Sequence, residues 1–177
     1  MIDCKRLYIS AARESIQASP DADEAARHDL IRRMVDLHKG LLIKIYATVV
    51  KADGTWGRAE QKLARELIDH VWGTQLDGEK LRQTTLQIIK DAGTLKWYSL
   101  IRPFDRVSAI RDRVADLETV VMRVGNLVAK ADERVTREES AALRSIQSEL
   151  DVHLNRLTLD EPRAEDGKTD HGSQAVE

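Results

Sequence analysis

The stretch that decides the fold is Val49-Val50-Lys51-Ala52-Asp53-Gly54-Thr55-Trp56-Gly57-Arg58-Ala59-Glu60. It returns as Val128-Ala129-Lys130-Ala131-Asp132-Glu133-Arg134-Val135-Thr136-Arg137-Glu138-Glu139. Lys, Ala, Asp, Arg and Glu coincide, and further on Arg65 coincides with Arg144. Asp-Gly suits a tight reversal, because Gly reaches positive φ freely and Asp bonds nearby backbone amides. Trp56 and Val135, following the bend, are expected to tuck back under the helices. In the second copy Thr136-Arg137-Glu138-Glu139 reads as a capping box, with Thr136 at the N-cap and Glu139 three positions on. In the first copy Gly57 takes the cap position, so only Glu60 remains of the box.

Apolar residues at helical spacing flank both reversals. Before the first, Leu41, Leu42, Ile45, Tyr46, Val49 and Val50 form one helical face. After it come Leu63, Leu67, Ile68, Val71 and Trp72, with Gly73 as a C-terminal cap. Before the second reversal, Val107, Ile110, Val114, Leu117, Val120, Val121, Val124, Leu127 and Val128 form a long periodic segment. After it run Leu143, Ile146, Leu150, Leu154 and Leu157. Two halves are thus one helical hairpin plan used twice, expected to pack face to face about a pseudo-two-fold axis.

The remaining segments are helical too. Leu7, Ala11, Ala12 and Ile16 stripe the first, Ile2 to Ala18. Ser19-Pro20 reads as an N-cap with Pro at the first helical position. Leu30, Ile31, Met34, Val35 and Leu37 follow it, and Gly40 either ends or loosens that helix. Asp77 starts a helix through Leu81, Thr85, Ile88 and Ile89 that ends near Gly93. Leu95 to Phe104 is poor in pattern and rich in aromatics, and Pro103 there breaks or starts a helix. The expected fold is all-α: about seven helices in a single compact, bundle-like domain over residues 1–157. Residues 158–177 hold six acids against Arg163 and Lys168 and almost no large apolar residue, so they are expected to be a disordered acidic tail.

The chain has 177 residues, the size of one domain with a real core. Aromatics at 4%, 3 Pro and 9 Gly argue against an all-β sandwich. A formal net charge of −2 provides no global basic field, and the local basic clusters are interleaved with acids, so nucleic acid is not an expected partner. The only cysteine, Cys4, cannot form an intrachain disulfide, which fits a reducing compartment. No segment resembles a secretory signal, and the apolar run Leu41 to Val50 is too short to span a bilayer. A cytoplasmic location follows as the default.

Catalytic patterns are scarce. The reversal matches the back half of an EF-hand loop, but the carboxylate positions that precede it hold Val49 and Lys51, and Val128 and Lys130. Half of the oxygen cage is therefore missing. His28-Asp29 is an isolated dipeptide with no upstream His, read as a surface pair rather than a metal centre. No nucleophile elbow or phosphate-binding glycine loop occurs. Trp97, Tyr98 and Phe104, close to Arg102, have the residue types of interface anchors. The competing reading has them fill the seam between the two halves.

The sequence resembles the TerB-like tellurite-resistance family, and also the N-terminal domain of DjlA-type co-chaperones, over roughly Pro20 to Leu157. The resemblance rests on Lys51-Ala52-Asp53-Gly54-Thr55-Trp56 with Glu60, and on Lys130-Ala131-Asp132 with Val135 and Glu139. Glu133 stands where Gly is expected and Trp56 where an aliphatic is usual, so the second turn is expected to be altered. The resemblance implies a non-catalytic helical module linked to stress and to tellurite or metal resistance, working through a protein partner. It implies peripheral membrane association only through a complex. It also implies a weak site for a divalent cation, Ca²⁺ or Mg²⁺, at Asp53, Glu60, Asp132 and Glu139. The bland alternative is that each Asp fixes its turn and each Glu caps its helix. A regulatory or co-chaperone docking domain is the next reading, and a metal-dependent helical hydrolase using the same carboxylates the last.

Overall fold

The computed structural model describes residues 1–159, apart from Thr55, Val107 and Glu133 and the side chains of Asp53, Asp105, Arg106, Ser108, Ala109 and residues 154–159. The acidic tail expected beyond residue 157 falls, from Asp160 onward, outside the described residues, and the last helix runs to Leu159. Seven α-helices and one 3₁₀ turn make up the described chain, with no strand among its residues. They are α1 Ile2–Gln17, α2 Glu24–Asp53, α3 Arg58–Trp72, α4 Gly78–Ala92, α5 Trp97–Arg106, α6 Val114–Ala129 and α7 Arg137–Leu159, with the 3₁₀ turn Ser108–Arg113 before α6.

Helix α2 is the axis of the molecule. Its 30 residues extend about 45 Å, and α1, α4, α5, α6 and α7 all pack on it. Met34, Leu41, Leu42, Ile45, Tyr46, Val49 and Val50 are among its buried side chains, joined in one core by Leu7, Leu67, Ile68, Leu81, Phe104, Leu117, Val121, Ile146 and Leu150. Gly40 neither ends nor loosens α2. A Cβ there would lie 2.9 Å from Leu100 Cδ2, so the missing side chain lets α5 approach. The start of α2 lies later than Ser19-Pro20 suggests. Asp23 is the N-cap, its Oδ1 accepting the Ala26 N–H at 2.6 Å, and Pro20 sits in the preceding turn. A carboxylate facing three free N–H groups outcompetes the preset φ of proline.

Pro103 lies inside α5 rather than at its edge. Trp97, Leu100, Ile101 and Phe104 form a buried stripe at i, i+3, i+4 and i+7, and their burial outweighs the single backbone bond that Pro103 withholds. The valine-rich segment is not one helix: a 3₁₀ turn precedes Val114, where α6 begins. Tyr8 ties the first helix to α5, its hydroxyl donating to the Leu100 carbonyl at 2.9 Å and its ring meeting Phe104 edge-on at 5.0 Å.

Each repeat is a helix, a reversal and a helix: α2 into α3, and α6 into α7. Helix α2 packs on both α6 and α7, whereas α3 packs on α2 and α4. The two copies therefore share α2 as their contact, and α3 lies to one side of it.

Candidate functional site

Both reversals are built by the residues the sequence singles out. Asp53 is the last residue of α2, and Gly54 ends the helix with φ 69°, left-handed backbone that only glycine takes without strain. Trp56 lies half-buried against the core. Gly57 is the N-cap of α3. Glu60, in the first turn, is buried, and its carboxylate folds back over residue 57: a Cβ added there would stand 2.6 Å from Oε2. The Glu60 backbone carbonyl accepts the Tyr46 hydroxyl at 3.3 Å, fastening α3 to α2.

The second reversal uses the same Glu with different bonding. Thr136 Oγ1 accepts the Glu139 N–H at 3.1 Å, and Glu139 Oε2 accepts the Thr136 N–H at 2.8 Å and its hydroxyl at 3.1 Å. This is the capping box expected from the sequence. Helix α6 stops at Ala129, three residues short of the Asp that corresponds to Asp53. No glycine follows Asp132 to take left-handed backbone, so the chain leaves the helix earlier. Asp132 Oδ1 then accepts the Arg134 N–H at 3.2 Å from an exposed position. Val135 departs from expectation: it is exposed rather than tucked under the helices. The β-branched side chain has less area to bury than the tryptophan that occupies its place in the first copy.

These bonds bear on cation binding. A hard cation takes six or more oxygens. In the second turn Glu139 Oε2 already accepts two hydrogen bonds and Asp132 Oδ1 accepts one. One oxygen of each carboxylate in the second turn is thus already committed to hydrogen bonds within the turn. The carboxylate of Asp53 lies outside the described side chains. Among the described residues no group of three His, Cys, Asp or Glu side chains is placed to hold a metal ion.

The aromatic segment divides. Trp97 and Phe104 face the core, and Lys44 lies over the Trp97 ring while its Nζ donates to the Ala92 carbonyl at 3.1 Å, at the end of α4. Of the three expected partner anchors only Tyr98 presents an exposed ring. Its ring lies tilted at 39° to that of His153 of α7, with centroids 5.5 Å apart, and Arg102 lies over it. The stripe of α5 turns the other two inward to satisfy the larger apolar demand of α2.

Sequence reasoning missed one cluster. His38 of α2 is 1% exposed, and neither ring nitrogen has a well-formed hydrogen-bond partner among the described residues, although the Val35 backbone lies near enough to favour its charged form. The His70 ring of α3 meets it edge-on at 5.6 Å, with its own Nε2 unpartnered. Burial foremost, then the neighbouring His70 and the cations Lys5 and Lys39, draws the His38 imidazole down to about 4. His70 is lowered as well, chiefly by burial. Cys4 is fully buried, and burial pushes its thiol up to about 12, which removes it as a nucleophile. The dipeptide His28-Asp29 is on the surface, as expected: His28 faces Glu24 at 3.8 Å and Asp29 pairs with Arg32 and Arg33.

Residues 39–158 match the family described as Tellurite resistance protein TerB. The chain belongs to the TerB family. Neither a curated protein nor a solved structure matches it. The matched TerB span takes in both reversals, from within α2 almost to the end of α7. Helix α1 and the first half of α2, with Cys4 and His38, lie before it. The likeness to DjlA-type co-chaperones rests on the sequence signature alone. No helix among the described residues is long and apolar enough to cross a membrane.

Proposed function

We propose that this TerB-family chain is a non-catalytic docking module of the cytoplasm, acting in tellurite or metal stress by holding a protein partner. The observation that carries the reading is the placement of large apolar side chains outside the core. Trp72 of α3 is 51% exposed and Leu127 of α6 is 53% exposed, each beside a groove rather than alone on a polar face. The burial of Glu60 and Glu139 at the starts of α3 and α7 supports a structural rather than a catalytic use of these two carboxylates.

A divalent cation at Asp53, Glu60, Asp132 and Glu139 is a companion proposal. It draws on the pairing of Asp and Glu at each bend, and it must compete with the hydrogen bonds of the second turn. Calorimetric titration with Ca²⁺, Mg²⁺, Mn²⁺ and Zn²⁺ decides it. Heat abolished by Asp53→Asn with Asp132→Asn supports the cation, and heat absent or untouched by them rejects it.

The docking role is tested by growth. Cells lacking the gene are challenged with tellurite and supplied with wild type, with Trp72→Glu or with Leu127→Glu. The expected result is that wild type restores growth and at least one surface variant fails, with an unchanged melting temperature. If the deleted strain grows normally on tellurite, the link to that stress is rejected.

A further inference from the structure

Helices α3 and α6 belong to different repeats and both lie near α2, with an open groove of about 470 Å³ between them. Lys62, Leu63 and Glu66 lie on one wall, and Arg123, Leu127 and Lys130 on the other. Leu63 is half-buried and Leu127 largely exposed, so the groove has an apolar line along it. Its rim has three cations against one carboxylate. Lys62, Arg123 and Lys130 are exposed, and none is paired with a described carboxylate. Elsewhere Arg6, Arg32, Arg33, Arg65, Arg82 and Arg113 each meet an Asp or a Glu. The groove between α3 and α4, by contrast, has the single charge of Asp91 and nothing to define an occupant.

From this charge pattern we infer that the α3–α6 groove binds an acidic amphipathic helix of a partner protein. Its leucine-like side chains would lie against Leu63 and Leu127, and its carboxylates against Lys62, Arg123 and Lys130. A helix laid between two helices presents apolar residues at i, i+3, i+4 and i+7, which suits a groove with one leucine on each wall. Flanking cations select the sign of the partner's charge and speed its approach. The inference rests on the docking role proposed above and names the chemistry of the partner.

The probe is a fluorescent 18-residue peptide with Leu at i, i+3, i+4 and i+7 and Glu on the flanks, titrated into the full chain and followed by anisotropy. A second peptide replaces every Glu by Lys. The acidic peptide is expected to bind at least tenfold tighter than the basic one, and to weaken as salt rises. Leu127→Glu, and Arg123→Glu with Lys130→Glu, should each weaken it at least tenfold without shifting the melting temperature, while Trp72→Glu leaves it unchanged. Amide shifts should map to α3 and the second half of α6. Equal binding of the two peptides, no binding, or indifference to Leu127→Glu overturns the inference. So does at least tenfold tighter binding when Asp160, Glu161, Glu165 and Asp166 are changed to their amides, because the chain's own acidic end would then be the occupant. Loss of the tellurite phenotype with peptide binding intact rejects the stress role alone. Growth that depends on Leu127 with no peptide binding rejects this partner chemistry alone.

Discussion

The imidazoles of His38 and His70 meet edge to face at 5.6 Å, and both nitrogens of His38 lack a well-formed hydrogen bond among the described residues. The ring is held neutral. On α1 it faces Tyr8 and the cation of Lys5, on α2 Lys39, and on α3 His70, with Asp69 nearby favouring the charged form of His70. In the unfolded chain His38 titrates near 6.5, and in the fold near 4. The unfolded state therefore binds the extra proton first as pH falls. Stability is complete above about 6.5 and drains away between there and about 4, below which both states are protonated. The loss attributable to His38 should reach about 3 kcal/mol once the folded ring is protonated as well. Urea melts from pH 7.5 to 4.5 on wild type and on His38→Leu check this. The variant's stability should depend less steeply on pH, and parallel curves would exclude His38 as the source.

Thr136→Ala removes the hydroxyl that accepts the Glu139 N–H and donates to its carboxylate. The loss is expected to be about 1 kcal/mol, a fall of roughly 2–4 °C in melting temperature for a chain of this size. Thr136→Ser keeps both bonds and should lose less than half as much. Equal losses in the two variants would mean that the methyl group, not the cap, matters there.

Gly54 and Gly57 flank one bend but answer different needs. Gly54 has φ 69° and open space around its Cα, so Gly54→Ala meets backbone strain alone. The expected destabilisation is about 1–2 kcal/mol, with Gly54→Asn milder because Asn tolerates this backbone better. Gly57 has φ −82°, open to any residue, and only the side-chain end of Glu60 stands in the way of a Cβ. Gly57→Ala should cost less than Gly54→Ala in thermal melts, and the reverse order would mean that the Glu60 carboxylate cannot move.

Local signals made much of this fold legible. The glycines at 54 and 73, the box from Thr136 to Glu139 and the apolar face of Leu41 to Val50 each specify one piece of backbone, and each appears where its chemistry puts it. What the sequence hid depends on tertiary competition. Pro103 reads as a breaker because the withheld bond is local, while the burial that offsets it comes from Tyr8 and α2. His38 and His70 lie on different helices with nothing in their spacing to unite them. The groove between α3 and α6 was equally hidden: Leu63 and Leu127 each read as core positions of their own helix. Only the packing of both near α2 leaves them facing a shared open space.

Gly125 is the sharpest test of that packing. It is buried in α6, where a Cβ would stand 2.8 Å from Leu143 Cδ2 of α7 and 3.7 Å from Ile45 Cγ2 of α2. In an open helix Gly→Ala stabilises by about 1 kcal/mol. Here the methyl group must push α7 outward or force Leu143 from its rotamer, at about 1–3 kcal/mol. Gly125→Ala should therefore lower the melting temperature or leave it unchanged, and Gly125→Val should lower it clearly. Gly125→Ala combined with Leu143→Ala relieves the clash, and its loss should be smaller than the sum of the two single losses. A gain of several degrees from Gly125→Ala alone would mean that α6 and α7 are not held this closely.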